Sequence, residues 1–300
     1  MLFDLILKVL LLIIFSLLGF ICGKFIKLRA FDISNLMIYV ISPVVIFVSI
    51  IHSPSSAKYI AYSGYAFLFS SCSALISYAI ARRFWCDSRV NLFAFAGGTG
   101  NTGYFALPIA FSLFDPAQIS IAVFIVIGVN LYEFTVGYFL TASGHATLRE
   151  SLNKVCRMPI LYAAILAMLC KVIGIPLNPT VLDFMNNFKG AYSVLGMMVI
   201  GISLAAFDRL ELDYVFTLLI ITWKHLLLPA VGILIFRFVI PLDPPVLAVV
   251  ALMLATPMAG NVVVISSQLN VHPEKAALSV MLSTFMALFF IPVVVWCILQ

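Results

Sequence analysis

The chain reads as an all-α polytopic membrane protein whose ten transmembrane helices form two inverted repeats of five, with the fourth and ninth helices broken. Three observations predict this. Over 300 residues, 64% are hydrophobic and 10% charged, with a mean hydropathy of +1.17; a water-soluble domain carries an apolar share nearer one half. Long apolar runs recur along the chain, and about 20 such residues cross roughly 30 Å of hydrocarbon, where only helices or closed barrels satisfy their backbone groups. Two of the runs are interrupted near mid-depth, at Ala96-Gly97-Gly98-Thr99-Gly100-Asn101-Thr102-Gly103 followed by Pro108, and at Ala255-Thr256-Pro257-Met258-Ala259-Gly260-Asn261.

The first run, 2–23, has Asp4 ahead of Lys8 and no small-residue cleavage site after it, so it is expected to be a span rather than a signal peptide. Runs at 31–52 and 57–81 follow, the former carrying Pro43 as a structural kink. The fourth, 89–114, holds the first break, and the fifth, 117–143, holds Glu133. The polar connection 143–154 is too short for a soluble regulatory domain. Runs at 157–175 and 180–207 precede the eighth, 213–240, which holds Lys224, His225 and Pro229. The ninth, 244–270, holds the second break, and the tenth is 273–299. Several exceed the minimum length, which accommodates tilt or an unwound centre.

Division near residue 150 gives halves 1–150 and 151–300 of five spans each, and an odd number forces the second half to insert upside down. The halves share a pattern. Arg82-Arg83-Phe84, the Asn101 break and Asp115-Pro116 are echoed by Arg237-Phe238, the Asn261 break and His272-Pro273.

Basic residues set the orientation. One set of connections carries Lys24, Lys27, Arg29, Arg82, Arg83, Arg89, Arg149, Lys154, Arg157, Arg209 and Lys275, while the other has Lys58, Lys171, Lys189 and Arg237. The first set is expected to be cytoplasmic, with both termini outside the cell membrane. The formal charge of +5 therefore reflects loop asymmetry rather than a nucleic-acid partner. Cys22, Cys72, Cys86, Cys156, Cys170 and Cys297 are scattered without metal-ligand spacing, and His52, His145 and His272 fall in or beside loops. No metal, cofactor or catalytic residue is expected, and an intramembrane enzyme is poorly supported.

Gly97, Gly98, Gly100 and Gly103 free the backbone to leave the helix, and Pro108 removes an amide donor and crowds the carbonyl four residues earlier. Pro257 and Gly260 act alike in the second break, where Asn261 supplies an amide that both donates and accepts. Unwound backbone at this depth must be buried in protein or line an aqueous cavity, and the half-helix ends attract anions. One break reads readily as a packing kink; two, each with an Asn, in matching halves point to a transporter's binding site. The expected ligand contacts are Thr99, Gly100, Asn101, Thr102, Gly103, Thr256, Gly260 and Asn261, with Pro108 and Pro257 at the breaks. Glu133 and Lys224 are ionisable groups inside apolar runs and are candidates for charge compensation or coupling. His225 reads as a hydrogen-bonded packing residue or a proton relay.

The segment Ser266-Ser267-Gln268-Leu269-Asn270-Val271-His272-Pro273-Glu274-Lys275-Ala276-Ala277-Leu278-Ser279-Val280 resembles the end of the ninth and start of the tenth helix in the auxin efflux carrier (PIN-like) superfamily. Leu288-Phe289-Phe290-Ile291-Pro292-Val293, Ala255-Thr256-Pro257, Gly100 to Pro108 and Arg157-Met158-Pro159-Ile160-Leu161-Tyr162-Ala163 extend the resemblance over the chain. It implies the ten-helix inverted repeat also found in Na⁺/H⁺-antiporter-like and bile-acid-symporter-like proteins, with the fourth and ninth helices crossed and Pro108 and Pro257 at the crossover. Helices one, two, six and seven would form a scaffold domain, a natural homodimer surface, and helices three to five and eight to ten a transport domain. It further implies carriage of small organic anions, such as malonate in bacterial relatives; the short central connection fits a prokaryotic permease. A Na⁺- or H⁺-coupled symporter and a membrane ligand sensor are the alternative functions.

Overall fold

A computed structural model describes residues 2–53, 58–142, 153, 156–207 and 212–299, and all regular structure among them is helical. Seven helices are long and apolar enough to cross a bilayer, including α1 (Leu2–Ile21), α2 (Ala30–His52) and α3 (Lys58–Ala81). The fourth predicted span is two pieces, α4 (Arg89–Gly98) and α5 (Leu107–Leu113). Next come α6 (Pro116–Thr141), the shorter α7 (Pro159–Ile173), α8 (Pro179–Ala205) and α9 (Tyr214–Val239). The ninth predicted span is likewise two pieces, α10 (Pro244–Leu254) and α11 (Asn261–Leu269), followed by α12 (Pro273–Leu299).

The starts of these helices follow from local chemistry. Proline at a first helical position supplies the right φ and gives up an amide that has no intrahelical partner; α6, α7, α8, α10 and α12 all begin with one. Asp115 completes a capping box with Gln118 ahead of α6, its carboxylate accepting the Gln118 N–H at 2.9 Å. Asn178 and Asp213 cap α8 and α9 in the same sense. Gly174 at φ 74° and Asn270 at φ 53° end α7 and α11 in the left-handed conformation.

Six five-residue π-helical turns occur among the described residues, Cys22–Ile26 directly after α1 and Ile235–Val239 at the end of α9 being two of them. Those at Met37–Ile41, Thr102–Ala106 and Trp223–Leu227 lie just before Pro43, Pro108 and Pro229, whose rings widen the preceding turn. Glu133–Gly137 interrupts α6 without a proline.

Packing joins α1 to α8 and α2 to α7 and α8. On the other side α3 packs on α4 and α6, α6 on α10, and α12 on α9, α10 and α11. Close approach of α1 to α8 depends on Gly19, where a side chain would run into the backbone of Met198, as small residues allow between membrane helices. An ionic cluster ties the starts of three helices together: Asp213 ahead of α9 pairs with Arg89 of α4 at 3.0 Å and Lys275 of α12 at 3.3 Å.

Candidate functional site

Ending a helix at Gly98 strands the carbonyls of its last turn. Side chains from three neighbours answer them. Gly97 O accepts from Ser73 Oγ of α3 at 2.7 Å and from Trp223 Nε1 of α9 at 3.1 Å, while Phe95 O accepts from the Tyr132 hydroxyl of α6 at 3.1 Å. Thr99 then runs extended at φ −109° and ψ 162° before the chain turns back into α5.

The two breaks meet. The Asn101 N–H donates to the Pro257 carbonyl at 2.8 Å, so one unwound segment closes the hydrogen bonding of the other. Within the second break Met258 N–H donates to Ser283 Oγ at 2.9 Å, and Thr256 Oγ1 donates to the Met253 carbonyl at 2.8 Å. The glycines serve this contact differently from the expectation of free backbone rotation. Among the described residues the one glycine with positive φ is Gly174, at the end of α7. Gly100 is needed because a Cβ there would stand 2.5 Å from Thr256 Oγ1 and 3.2 Å from Lys224 Nζ.

Glu133 is buried at the meeting point. One carboxylate oxygen accepts from the Thr99 hydroxyl and the other from Asn261 Nδ2, the latter at 2.6 Å. One acid thus bonds both breaks. Lys224, also buried, lies across the first break beside Gly100. These two are the buried acid and the buried lysine among the described residues, placed within electrostatic reach without forming a direct ion pair. Asn101 is 3% exposed, and its Nδ2 has no hydrogen-bond partner.

Two cavities flank the breaks. The first, about 380 Å³, is lined at depth by Asn101, Glu133, Asn261 and Tyr192 and toward its mouth by Asn35, Arg157 and Gln268. The second, about 650 Å³, is largely apolar, with Tyr62, Phe69, Phe236 and Leu242 along its walls and Thr99 and Lys224 at its base. Gly100 and Thr102 line both. The first cavity involves the starts of α2 and α7 and the end of α11; the second involves the early part of α3 and the chain between α9 and α10.

Of the expected contacts, Gly103 and Gly260 join Asn101 and Asn261 in the first cavity. Thr256, Pro108, Pro257 and His225 line neither. Thr256 is turned to its own helix end, Pro257 contributes its carbonyl to Asn101, and His225 bonds Ser283 Oγ at 2.9 Å and stacks on Phe290. Sequence reasoning missed Asn130, Tyr192 and Ser283. Asn130 had a signal, lying three residues before Glu133 on the same helical face; a lone Tyr or Ser in an apolar run has none.

A polytopic helical chain with a polar, doubly interrupted centre belongs to the class of membrane transport proteins, and comparison makes the assignment particular. The profile of a family described as membrane transport protein, that of the auxin efflux carriers, matches residues 4–295, and the chain belongs to this family. It is also similar to an uncharacterized transporter of Methanocaldococcus jannaschii, 24% identical over 211 residues that cover 67% of this chain and 68% of that protein. The protein is a multi-pass membrane transport protein rather than an enzyme.

Proposed function

We propose that the protein is a secondary carrier of a small organic carboxylate, working by alternating access with the joined breaks as its binding site. The observation that carries this reading is the pair of cavities that meet at Gly100 and Thr102. A ligand held there lies where the two cavities share lining residues, and rearrangement about the breaks exposes it to one side at a time. The carboxylate is held by the free Asn101 amide and by unwound backbone, with Lys224 supplying positive charge behind Gly100.

Further features support the finer architecture of this reading. The helices, with the two broken pairs each taken as one span, fit five plus five of opposite orientation, and the joined breaks fit crossed fourth and ninth helices. The packing of α1, α2, α7 and α8 among themselves fits a scaffold, and that of α3 to α6 with α9 to α12 a transport domain that moves by an elevator-like step. The scaffold is the surface for a homodimer. The basic-residue bias places both termini outside the cell membrane, and the short central connection fits a prokaryotic, malonate-permease-like member.

A Na⁺-coupled reading requires several oxygens converging on the ion. Glu133 instead faces two donors, Thr99 and Asn261. Counterflow in proteoliposomes tests the proposal: labelled malonate, succinate and phenylacetate are each offered against an internal pool of the same compound. Exchange of at least one carboxylate, inhibited in Asn101→Ala, is the expected result. Failure of every carboxylate under imposed proton, Na⁺ and voltage gradients overturns it.

A further inference from the structure

An anion that enters through the first cavity meets, at the bottom, a carboxylate. Among the described residues Glu133 is the one buried charged residue on that wall; Arg157 stands exposed at the mouth and Lys224 lines the other cavity. With Glu133 ionised and Lys224 an ammonium, the ligand-free pair sums to zero charge. A bound carboxylate makes the buried site negative, and uncompensated charge at membrane depth costs several kcal/mol.

We propose that Glu133 is a proton-binding coupling site, taking up a proton from the aqueous cavity as the carboxylate binds at the break, so that carboxylate and proton are carried together. This inference rests on the reading of the protein as a carboxylate carrier. One O–H bond forms on Glu133 and none breaks elsewhere in the protein; Lys224 stays an ammonium. The loaded site, with neutral Glu133, positive Lys224 and negative ligand, is again uncharged.

The hydrogen bonds around Glu133 suit both of its states. Ionised, it accepts from the Thr99 hydroxyl and from Asn261 Nδ2. Protonated, its O–H donates to Thr99 Oγ1, since a hydroxyl accepts as readily as it donates, and the other oxygen keeps the bond from Asn261. Each oxygen and nitrogen of the trio keeps one hydrogen bond; the Thr99 hydroxyl hydrogen, released from Glu133, needs a new acceptor, which water in the second cavity that Thr99 lines can supply. The same bonds make it a relay between breaks, because Thr99 belongs to the first and Asn261 opens the helix after the second.

The other ionisable groups within reach do not duplicate this role. Lys224 faces Glu133 from α9, Tyr104 and Tyr192 face it from the turn before α5 and from α8, and Tyr132 precedes it on α6. A phenol titrates near pH 10 in water, far from neutrality. His225 turns toward Ser283 and Phe290.

The test is proton uptake by the purified protein in weakly buffered detergent, followed with pyranine while malonate is added, in parallel with malonate binding by calorimetry and counterflow in vesicles. The parent should take up about one proton per malonate bound, a stoichiometry set by the charge argument. In Glu133→Gln the ratio of protons taken up to malonate bound should fall from about one to zero, and accumulation driven by a pH gradient should be lost. If Glu133→Gln does not fold, Glu133→Asp, which keeps the acid, should retain uptake. Binding without proton uptake in the parent, or uptake that persists in Glu133→Gln, overturns the coupling while leaving the carrier reading intact. Absence of both malonate binding and carboxylate counterflow overturns the two together, and selective binding of an amine-bearing substrate against Glu133 replaces them.

Discussion

The two breaks carry similar residues and are built to different degrees of closure. In the second, the polar groups are committed: Asn261 Nδ2 bonds Glu133, Met258 N–H bonds Ser283, the Thr256 hydroxyl bonds Met253 O, and Pro257 O accepts from Asn101. In the first, Gly100 and Thr102 border both cavities and the Asn101 amide nitrogen is buried without a partner. The difference teaches that a repeated motif need not mean a repeated task. One break is a frame; the other is left with hydrogen-bonding capacity that a ligand can use.

The sharpest way to break this comparison is the pair of glycine variants. Gly100→Ala places a methyl against Thr256 and Lys224, and overpacking of this kind costs about 1–3 kcal/mol. We expect transport to stop, with a lowered melting temperature. Gly260→Ala meets nothing closer than Ile200 Cγ1 at 3.5 Å and has helical backbone angles, so it should melt and transport like the parent. Equal sensitivity of the two glycines would erase the distinction.

A smaller effect tests the frame itself. Ser283→Ala leaves both Met258 N–H and His225 without their partner, and a buried unsatisfied group costs roughly 1–3 kcal/mol. Thermal unfolding should show that loss while malonate affinity changes little. A drop in affinity at unchanged stability would move Ser283 to the ligand.

The smallest effect lies away from the breaks. Burial opposes ionisation of Asp213, but the Phe216 N–H, Arg89 and Lys275 outweigh it and hold its carboxyl below the usual carboxylate range. A lowered value in the folded state means that this stabilisation is present above the unfolded value, near pH 4, and is lost as pH falls through the folded one. Asp213→Asn should be less stable than the parent at neutral pH, with the difference shrinking on acidification in melting curves. A gap that widens toward acid would contradict the assignment.

Much of the helical frame was legible in the sequence. The apolar runs placed the helix starts at Pro116, Pro159, Pro179, Pro244 and Pro273 to within about two residues, and the Gly-Thr-Asn-Pro clusters marked both breaks to within a few residues. Glu133 and Lys224 stood out as charges in apolar runs. What could not be read was who partners whom. Glu133 and Asn261 are 128 positions apart, and Thr99 resembles a ligand contact until its hydroxyl is seen on Glu133. The glycines were noticed for backbone freedom, whereas their effect is the space a missing Cβ leaves, which depends on atoms from distant helices. Thr256 was expected beside the ligand because of its place in the motif, yet its hydroxyl is turned to its own helix end.

Calorimetric titration of malonate onto the parent, Asn101→Ala and Asn261→Ala tests the central claim most directly. A hydrogen bond to a charged ligand contributes roughly 1.5–3 kcal/mol, so Asn101→Ala should weaken binding by about ten- to a hundred-fold. Asn261→Ala, which removes a donor from Glu133 rather than from the ligand, should weaken it far less and lower the melting temperature more. Unchanged affinity in Asn101→Ala, or an equal loss in both variants, would contradict the account.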